Sequence, residues 1–256
     1  MTPSPPAVAL VTGAASGMGQ LAARRLAAAG ASVAAVDVDD DGLAGTVGRS
    51  TTMRPWTCDV SDADAVERLV KEVESALGPV DRLVHAAGIC LPGTIAEQPV
   101  DELDRTMAVN FLGTVHAVKA VLPGMLDRRR GDVVAFASLA GWLPSPHLGA
   151  YAASKHAVVA FMEVLAYENR GSGIRFACVC PPVVDTPMVA GIRARDDAAL
   201  GGQQGIDPSV VLDAIDRSLP ADELFVLPGK GTKTTWRARR FAPGLIWRQI
   251  ERATRR

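Results

Sequence analysis

The chain has 256 residues, 48% of them hydrophobic, and a formal net charge of −1 at pH 7. This size suits one well-buried α/β domain. The sequence lacks both an apolar run of about 18 residues and a basic leader followed by a long apolar segment, so neither a membrane span nor a secretory signal is expected. We therefore predict a cytoplasmic protein with four free cysteines, and no metal site because no cysteine pair has zinc-ligand spacing with histidines.

Apolar strand-like runs alternate with helical patterns, which favours βαβ units and a parallel sheet. Strands are predicted at residues 7–11, 32–37, 51–57, 80–85, 132–137, 174–180 and 223–227. Helices are predicted at residues 17–29, 62–76, 149–169 and 208–218, with one or two more in 101–129. A glycine-punctuated turn region precedes the third strand, and residues 189–205 are interpreted as a polar loop containing glycines.

This order predicts a doubly wound, Rossmann-type α/β domain with a parallel sheet and helices on both faces. The domain is expected to span residues 1–227 and to include a substrate loop at about residues 187–207. Residues 228–256 form a basic C-terminal extension with nine Lys or Arg and one acid, whereas the rest of the chain has a net charge of −9.

A glycine-rich turn, TGAASGMG, follows the first strand and opens the first helix. Gly13, Gly17 and Gly19 let the turn tighten and approach a pyrophosphate, whose charge then lies at a helix N-terminus. Asp37 ends the second strand 18 residues beyond Gly19, near the spacing expected for an acid that binds the adenosine ribose hydroxyls. The combination predicts a dinucleotide-binding turn rather than a plain strand–turn–helix connection.

Asp37 also indicates which dinucleotide is bound. A carboxylate accepts hydrogen bonds from a ribose diol but repels a 2′-phosphate. The turn itself offers no cation, since Ala14, Ala15 and Ser16 stand there. We therefore predict that the cofactor is NAD rather than NADP.

Tyr151 and Lys155 lie four residues apart in the segment AYAASKH, so a helix places them on one face. An ordinary tyrosine, with a pKa near 10, is a poor base at neutral pH, but a neighbouring cation favours the phenolate and lowers that pKa. Taken alone, the pair is equally consistent with a packing aromatic residue and a solvated lysine.

Six motifs, in this order, resemble the short-chain dehydrogenase/reductase family: TGAASGMG, CDV, HAAG, VNFLG, FAS and YAASK. The resemblance covers about residues 7–188 and implies an oxidoreductase that uses a nicotinamide cofactor. It implies four catalytic residues, Asn110, Ser138, Tyr151 and Lys155. In this assignment Tyr151 exchanges the proton, Lys155 assists it, Ser138 holds the substrate oxygen, and Asn110 fixes a water that links Lys155 to solvent.

The turn and the resemblance together predict a set of cofactor contacts. They are Gly13, Ser16, Gly17, Met18, Gly19, Asp37, Asp59, Val60, Ala86, Ala87, Gly88, Tyr151, Lys155, Pro181, Val184 and Thr186. The chain departs from the family pattern twice, with His85 in place of an asparagine and Pro182 in place of a glycine. We interpret His85 as a structural residue, and we expect Pro182 to alter the course of the loop over the nicotinamide.

The leading functional hypothesis is an NAD-dependent oxidoreductase that interconverts a secondary or hydrophobic alcohol and its carbonyl compound. The substrate is expected to be neutral and apolar, because no arginine stands beside the predicted catalytic serine or tyrosine. Two alternatives remain open: an NADPH-dependent 3-oxoacyl-type reductase of the same family, and a catalytically silent NAD-binding protein.

The C-terminal extension has three interpretations. A helix that begins at Pro243 would carry an apolar stripe bordered by arginines, with Leu245, Ile246, Ile250 and Ala253 in the stripe. Such a helix suits packing within a homodimer or homotetramer, or peripheral contact with an anionic membrane. Nucleic-acid binding is disfavoured by the acidic body and the lack of a recognised motif.

Overall fold

The computed structural model describes residues 6–241 and, beyond them, only Gly244 and Arg248. Within this part of the chain, seven parallel strands form one sheet in the order β3-β2-β1-β4-β5-β6-β7. The strands are β1 (Val8–Thr12), β2 (Ser32–Asp37), β3 (Met53–Thr57), β4 (Arg82–His85), β5 (Gly131–Phe136), β6 (Ile174–Val179) and β7 (Phe225–Val226). The predicted doubly wound α/β fold is confirmed.

The helices cover both faces of the sheet. They are α1 (Gly17–Ala28), α2 (Asp40–Val47), α3 (Ala63–Leu77), α4 (Val100–Met107), α5 (Gly113–Arg128), α6 (Gly149–Glu168), α7 (Pro187–Arg195), α8 (Pro208–Ser218) and α9 (Thr232–Phe241). One hydrophobic cluster joins α1 and α8 to the sheet, and a second joins α3, α5 and α6 to its other face. The central strands are therefore covered on both faces, which explains why β1 is buried throughout.

Two predictions of irregular chain were wrong. The region between β2 and β3 contains α2, which begins where the Asp39 carboxylate accepts a hydrogen bond from the Gly42 amide at 3.0 Å. Residues 189–205, expected to be a loop, contain most of α7 and a 3-10 helix at Asp197–Leu200. Pro187 at the start of α7 favours that helix, because its fixed φ suits the first helical turn.

The order of the strands fixes where a ligand can enter. β1 pairs with β2 on one side and with β4 on the other, so the chain reverses its direction of travel across the sheet at β1. In open α/β sheets, ligands bind at such a switch point, outside the carboxyl ends of the strands. Thr12 and His85 are paired at those ends of β1 and β4.

An ion-pair triad centred on the buried Asp132 lies at the amino ends of β4, β5 and β6. Asp132 on β5 accepts two hydrogen bonds from Arg82 on β4, at 2.9 and 2.7 Å, and one from Arg175 on β6 at 2.7 Å. Arg82 is 8% exposed and Asp132 is 5% exposed. The triad therefore joins three central strands at the end of the sheet away from the switch point.

The helical stretch Val100–Arg128 qualifies the expectation that no segment could span a membrane. It has 29 residues and, by length and composition alone, is apolar enough to do so, with a mean hydropathy of 1.3 over its most apolar part. The apolar side of α5 packs into the core through Ala117, Val118, Val121 and Met125. A core helix of a folded domain has the same composition.

The start of the C-terminal extension packs against the domain. Trp236 on α9 lies edge-on to Trp142, with ring centroids 5.6 Å apart, and 6.2 Å from the centroid of Phe225. Trp142 and Phe225 are themselves 5.2 Å apart, which completes an aromatic trio. The predicted apolar stripe of Leu245, Ile246, Ile250 and Ala253 lies outside the described residues.

Candidate active site

A cleft of about 480 Å³ opens at the carboxyl ends of the strands on either side of the switch point. Twelve predicted cofactor contacts line it: Gly13, Ser16, Gly17, Met18, Gly19, Asp37, Asp59, Val60, Ala86, Ala87, Gly88 and Thr186. Tyr151, Lys155, Pro181 and Val184 are not part of its lining. Ten further residues that were not predicted also line the cleft, namely Val36, Val38, Cys58, Ser61, Ile89, Arg105, Ala108, Val109, Pro187 and Met188.

The glycine turn is shaped to admit a backbone-bound ligand. Gly13 has φ +67°, and a Cβ there would lie 2.7 Å from the Ala87 amide nitrogen. A side chain at Gly19 would collide with the Gly13 carbonyl. Within the described residues, no side chain caps the start of α1, so its first N–H groups are free to bind a pyrophosphate. These features fit a dinucleotide.

The Asp37 carboxylate is held at the edge of the same cleft. One oxygen accepts a hydrogen bond from the Ala15 amide at 3.0 Å, and the other accepts one from the Val38 amide at 2.8 Å. Asp37 ends β2, so its carboxylate lies beside the glycine turn, which is predicted to bind the pyrophosphate. A fixed carboxylate at this position is ready to accept hydrogen bonds from ribose hydroxyls.

The four predicted catalytic residues come from three neighbouring segments. Tyr151 and Lys155 share α6, Ser138 follows β5, and Asn110 lies in a π-helical turn, Ala108–Leu112, between α4 and α5. The Lys155 ammonium lies 5.7 Å from the centroid of the Tyr151 ring and donates to the Phe136 carbonyl at 2.7 Å. The Ser138 side chain is close enough to the Tyr151 phenol to affect its pKa. The structure therefore brings the tyrosine, lysine and serine together.

The Asn110 side chain is fully buried and has its own partners. Its amide nitrogen donates to the Ile89 carbonyl at 2.9 Å and to the Ser154 hydroxyl at 3.0 Å, and its oxygen accepts from the Ile89 amide at 2.8 Å. Three of the four hydrogen bonds that an asparagine can make are therefore used to join the loop after β4 to α6. The implied water contact of Asn110 stays a prediction.

The pKa values differ from the sequence-based expectation. Burial raises the pKa of Tyr151, and Cys90 raises it further, while Ser138 acts in the opposite direction. Burial lowers the pKa of Lys155 to about 8, against the favourable influence of the thiols of Cys90, Cys178 and Cys180. The sequence-based expectation that Lys155 lowers the pKa of Tyr151 is therefore wrong in direction, because burial is the largest cause and raises that pKa.

His85 has one bonded and one unbonded ring nitrogen. Its Nδ1 lies 2.9 Å from the Thr12 hydroxyl, which also accepts a hydrogen bond from the Ala87 amide at 3.2 Å. Its Nε2 is buried and has no partner among the described residues. Burial lowers the pKa of His85 to about 3, assisted by the charges of Lys155 and His116. The predicted structural role of His85 agrees with this burial, but only half of its hydrogen-bonding capacity is satisfied.

We expect His85 to make the protein acid-sensitive. The unfolded chain binds a proton at His85 near pH 6.5, whereas the folded chain resists protonation down to about pH 3, so folding stability falls as the pH drops below 6.5. At pH 5 the loss is about 2 kcal/mol relative to neutral pH. Urea unfolding at pH 5 and pH 7.5 should show a smaller difference for His85→Asn than for the parent protein, and equal differences would contradict this assignment.

The segment after β6 connects the cleft to the catalytic residues. The Pro181 carbonyl accepts a hydrogen bond from the Leu139 amide at 2.8 Å, which holds the chain after β6 against the loop that carries Ser138. Val184 is buried and pairs with Ile206 in a short backbone bridge. Thr186, the residue before α7, lines the cleft, so the segment that contains Pro182 leads directly from the sheet to the cofactor site.

Residues 7–197, which are most of the chain, match the protein family described as short chain dehydrogenase. Among similar proteins, 1-deoxy-11-beta-hydroxypentalenate dehydrogenase of Streptomyces avermitilis is 33% identical over 90% of this chain and 87% of its own length. The 2,3-dihydro-2,3-dihydroxybenzoate dehydrogenase of Bacillus subtilis is 36% identical over 75% of each chain.

Solved structures agree with the fold. A short chain dehydrogenase/reductase from Burkholderia phymatum in complex with NAD superposes with a TM-score of 0.85 at 27% identity, covering 96% of each chain. A variant of actinorhodin polyketide ketoreductase with NADPH gives a TM-score of 0.80 at 33% identity, covering 90% of this chain and 99% of the other. Nicotinamide dinucleotides of both kinds therefore occur among structures similar to this one.

Proposed function

The chain belongs to the short-chain dehydrogenase/reductase family, and from that premise we propose that it is an NAD-dependent oxidoreductase acting on a secondary or hydrophobic alcohol and its carbonyl counterpart. The observation that carries the proposal is the placement of the Lys155 ammonium 5.7 Å from the ring centroid of Tyr151, with Ser138 beside the phenol.

Bound NAD supplies the hydride acceptor, and the protein supplies orientation and proton transfer. The glycine turn binds the pyrophosphate, and Asp37 binds the adenosine ribose. In the oxidation direction, Ser138 holds the substrate oxygen and the Tyr151 phenolate takes the hydroxyl proton. The Lys155 ammonium and the positive charge of an oxidised nicotinamide both favour the phenolate and so oppose the effect of burial on the pKa of Tyr151.

The proposed preference for NAD is supported by a run of acids at the end of β2. Asp37 is followed closely by Asp39, Asp40 and Asp41, so the region near an adenosine 2′ position is negatively charged. Ala15 stands in the turn where a basic residue would be needed to offset that charge. The dinucleotides in similar structures do not decide the matter, because one contains NAD and another contains NADPH.

Asp37→Ser is expected to weaken NADH binding by about tenfold to a hundredfold, because hydrogen bonds from ribose hydroxyls to a charged acceptor are lost. Binding of NADPH should change less or improve, because the repulsion of the 2′-phosphate is removed. Titrations that follow the fluorescence of each reduced cofactor measure both effects. Asp127→Asn, which removes an exposed acid on α5 that does not line the cleft, is the matched control and should alter neither affinity by more than about twofold.

A neutral, apolar substrate is supported by the side chains that pack around Cys90, in the loop that follows β4 near Lys155. Val189, Ile192 and Leu200 form a small apolar cluster, against which Cys90 packs. The cations nearby are already engaged: the Arg193 guanidinium donates to the Gln203 carbonyl, and Arg195 pairs with Glu102. A carboxylate-bearing substrate would have to break one of these contacts.

The direct test is a panel of alcohols and ketones, including short secondary alcohols, hydroxysteroids and retinol, assayed with NAD and NADP by the absorbance of the reduced cofactor. We expect NAD-dependent oxidation of at least one hydrophobic secondary alcohol. Ketone reduction with NADPH alone would favour a 3-oxoacyl-type reductase. Tight NADH binding without turnover of any compound would favour a silent NAD-binding protein.

We also propose that the enzyme acts in the cytoplasm as a homodimer or homotetramer without a nucleic-acid partner. Exposed apolar residues before α5 and on α6, such as Leu112, Val164 and Tyr167, support self-association. Sedimentation equilibrium measures the assembly. Peripheral membrane contact through the basic C-terminal extension is tested by salt-dependent pelleting with anionic liposomes.

A further inference from the structure

Residues 186–205 form a segment, here called the lid, that begins with Thr186 at the cleft and reaches His147 in the loop before α6. Its base is pinned by backbone pairing, since the Asp185 amide donates to the Ile206 carbonyl at 3.0 Å and the Ile206 amide donates to the Val183 carbonyl at 2.9 Å. Between the two sides of this base lie α7 and the 3-10 helix Asp197–Leu200. The two ends of the lid are thus joined at its root, and its tip lies near residue 196.

The underside of the lid faces the catalytic residues. Val189 and Ile192 on α7 and Leu200 beyond it form the apolar cluster that packs with Cys90. Cys90 follows Gly88 by two residues, and a Cβ at Gly88 would lie 3.5 Å from the Lys155 Nζ, so the cluster packs near the predicted catalytic lysine. An apolar surface at this position excludes water from a bound substrate.

One ion pair and one histidine–carboxylate hydrogen bond secure the tip of the lid, and they involve adjacent residues. Arg195, the last residue of α7, donates from Nη2 to both carboxylate oxygens of Glu102 on α4 at 2.9 Å. Asp196 pairs with His147 Nδ1 at 2.5 Å. The pairs lead to different elements, because Glu102 lies on α4 and His147 lies in the loop just before α6.

The backbone of His147 adopts a conformation that is unusual for its residue type. Its φ is +63°, in the left-handed region that residues other than glycine adopt infrequently, although histidine, asparagine and aspartate do so more often than the rest. Its carbonyl accepts a hydrogen bond from the Gly93 amide at 2.8 Å. His147 therefore joins the loop after β4, the lid and the start of α6, four residues before Tyr151. Strained backbone of this kind is retained where surrounding contacts fix it, often at functional sites.

We propose that His147 and Asp196 are positioning residues that, together with the Arg195–Glu102 pair, latch the lid over the substrate site. With both pairs formed, the apolar cluster is held against Cys90 and beside Tyr151. With both broken, the lid remains attached only by its root at Val184 and Ile206. The assignment of a substrate to the enclosed space depends on the proposed function, whereas the latch itself does not.

The two pairs are partly exposed, with side-chain exposures of 32% and 23% for His147 and Asp196 and of 46% and 24% for Arg195 and Glu102. Partly exposed pairs contribute modestly, so loss of either one should raise the population of the open lid by about twofold to fivefold. Loss of both should raise it about tenfold, because the partners are on different elements.

Amide hydrogen exchange tests the latch on the full chain without any substrate. Peptides that cover residues 187–205 should exchange faster in His147→Asn and in Arg195→Gln, and about ten times faster in the double variant. Asparagine tolerates the left-handed backbone, so His147→Asn removes the pair without adding strain. Asp213→Asn, which breaks the surface pair with Arg25 between α1 and α8, is the control and should leave lid exchange unchanged.

A charge reversal separates the pair from a merely structural role. Glu102→Arg and Arg195→Glu should each speed exchange of the lid, and the double reversal should restore it to within about twofold of the parent. Unchanged lid exchange in the His147→Asn, Arg195→Gln double variant would overturn the proposal, as would failure of the double reversal to restore protection.

With 1-tetralol as the probe alcohol, the latch variants should raise KM by the same factors while kcat is kept or increased, because an open lid binds substrate less well but releases product faster. An equal fall in kcat and kcat/KM would show that the pairs act on the chemical step and would overturn a positioning role for the lid. If the parent enzyme does not oxidise 1-tetralol, the result counts against the proposed function. The exchange experiment, which needs no substrate, still decides whether the latch exists.

Discussion

Tyr151→Phe should lower kcat about a thousandfold or more while NADH binding stays within about twofold of the parent value. Phenylalanine keeps the ring that packs beside Lys155 but has no hydroxyl to exchange a proton with the substrate. General acid–base catalysis supplies factors of about 10² to 10⁴, and here one group is proposed to provide it in full. Turnover is measured with the alcohol that the panel identifies, and binding is measured by fluorescence titration with NADH.

The second tyrosine of the chain provides the matched control. Tyr167 lies near the end of the same helix, is 66% exposed, and stacks against the Arg170 guanidinium at 4.4 Å. Tyr167→Phe removes the same oxygen far from the cleft and should leave kcat unchanged. Substantial activity in Tyr151→Phe, with normal folding, would disprove the proposed proton transfer.

Asp132→Ala should lower the free energy of unfolding by about 3–5 kcal/mol, because it leaves the buried Arg82 guanidinium without its partner. Arg82 donates two hydrogen bonds to this carboxylate and is only 8% exposed, so water has little access to the unpaired charge. Urea unfolding followed by circular dichroism measures the change.

Two further substitutions test the explanation. Arg175→Met should cost much less than Asp132→Ala, since the Arg175 side chain is 37% exposed and Asp132 keeps its pair with Arg82 when it is removed. The double variant Arg82→Met, Asp132→Leu should recover much of the lost stability, because no unpaired charge remains buried. Equal losses for Asp132→Ala and Arg175→Met would show that an unpaired cation at Arg82 is not the cause.

Local patterns were sufficient for most of the fold. Apolar runs bounded by glycine and proline predicted the seven strands to within about two residues at each end, and parallel pairing followed from the helices between them. The helices that were not predicted are α2, α7 and α9, of which α2 and α7 are short and rich in glycine or polar residues. α2 depends on the Asp39 cap, and α7 depends on burial of Val189 and Ile192 against Cys90, a contact between distant parts of the chain.

The sequence predicted which side chains lie near one another in the candidate site, but not their energetics. Ordered motifs led to the glycine turn, Asp37 and the proposed catalytic residues, because each motif is short and local in sequence. Helical spacing gave the proximity of Tyr151 and Lys155, but it contains no information on burial, which raises the pKa of Tyr151 and lowers that of Lys155. The pairing of Asp196 with His147 was likewise inaccessible, since 49 residues separate them.

The aromatic trio of Trp142, Phe225 and Trp236 affects how the chain can be shortened. Trp142 belongs to the segment between Ser138 and Tyr151, and its indole nitrogen donates to the Cys180 sulfur at 3.4 Å. A deletion that begins near residue 230 removes Trp236 and uncovers the ring on which that segment rests. If such a deletion variant is inactive, the cause would be loss of structure beside the proposed catalytic residues. A truncation designed to isolate the basic tail should therefore keep every residue through Phe241.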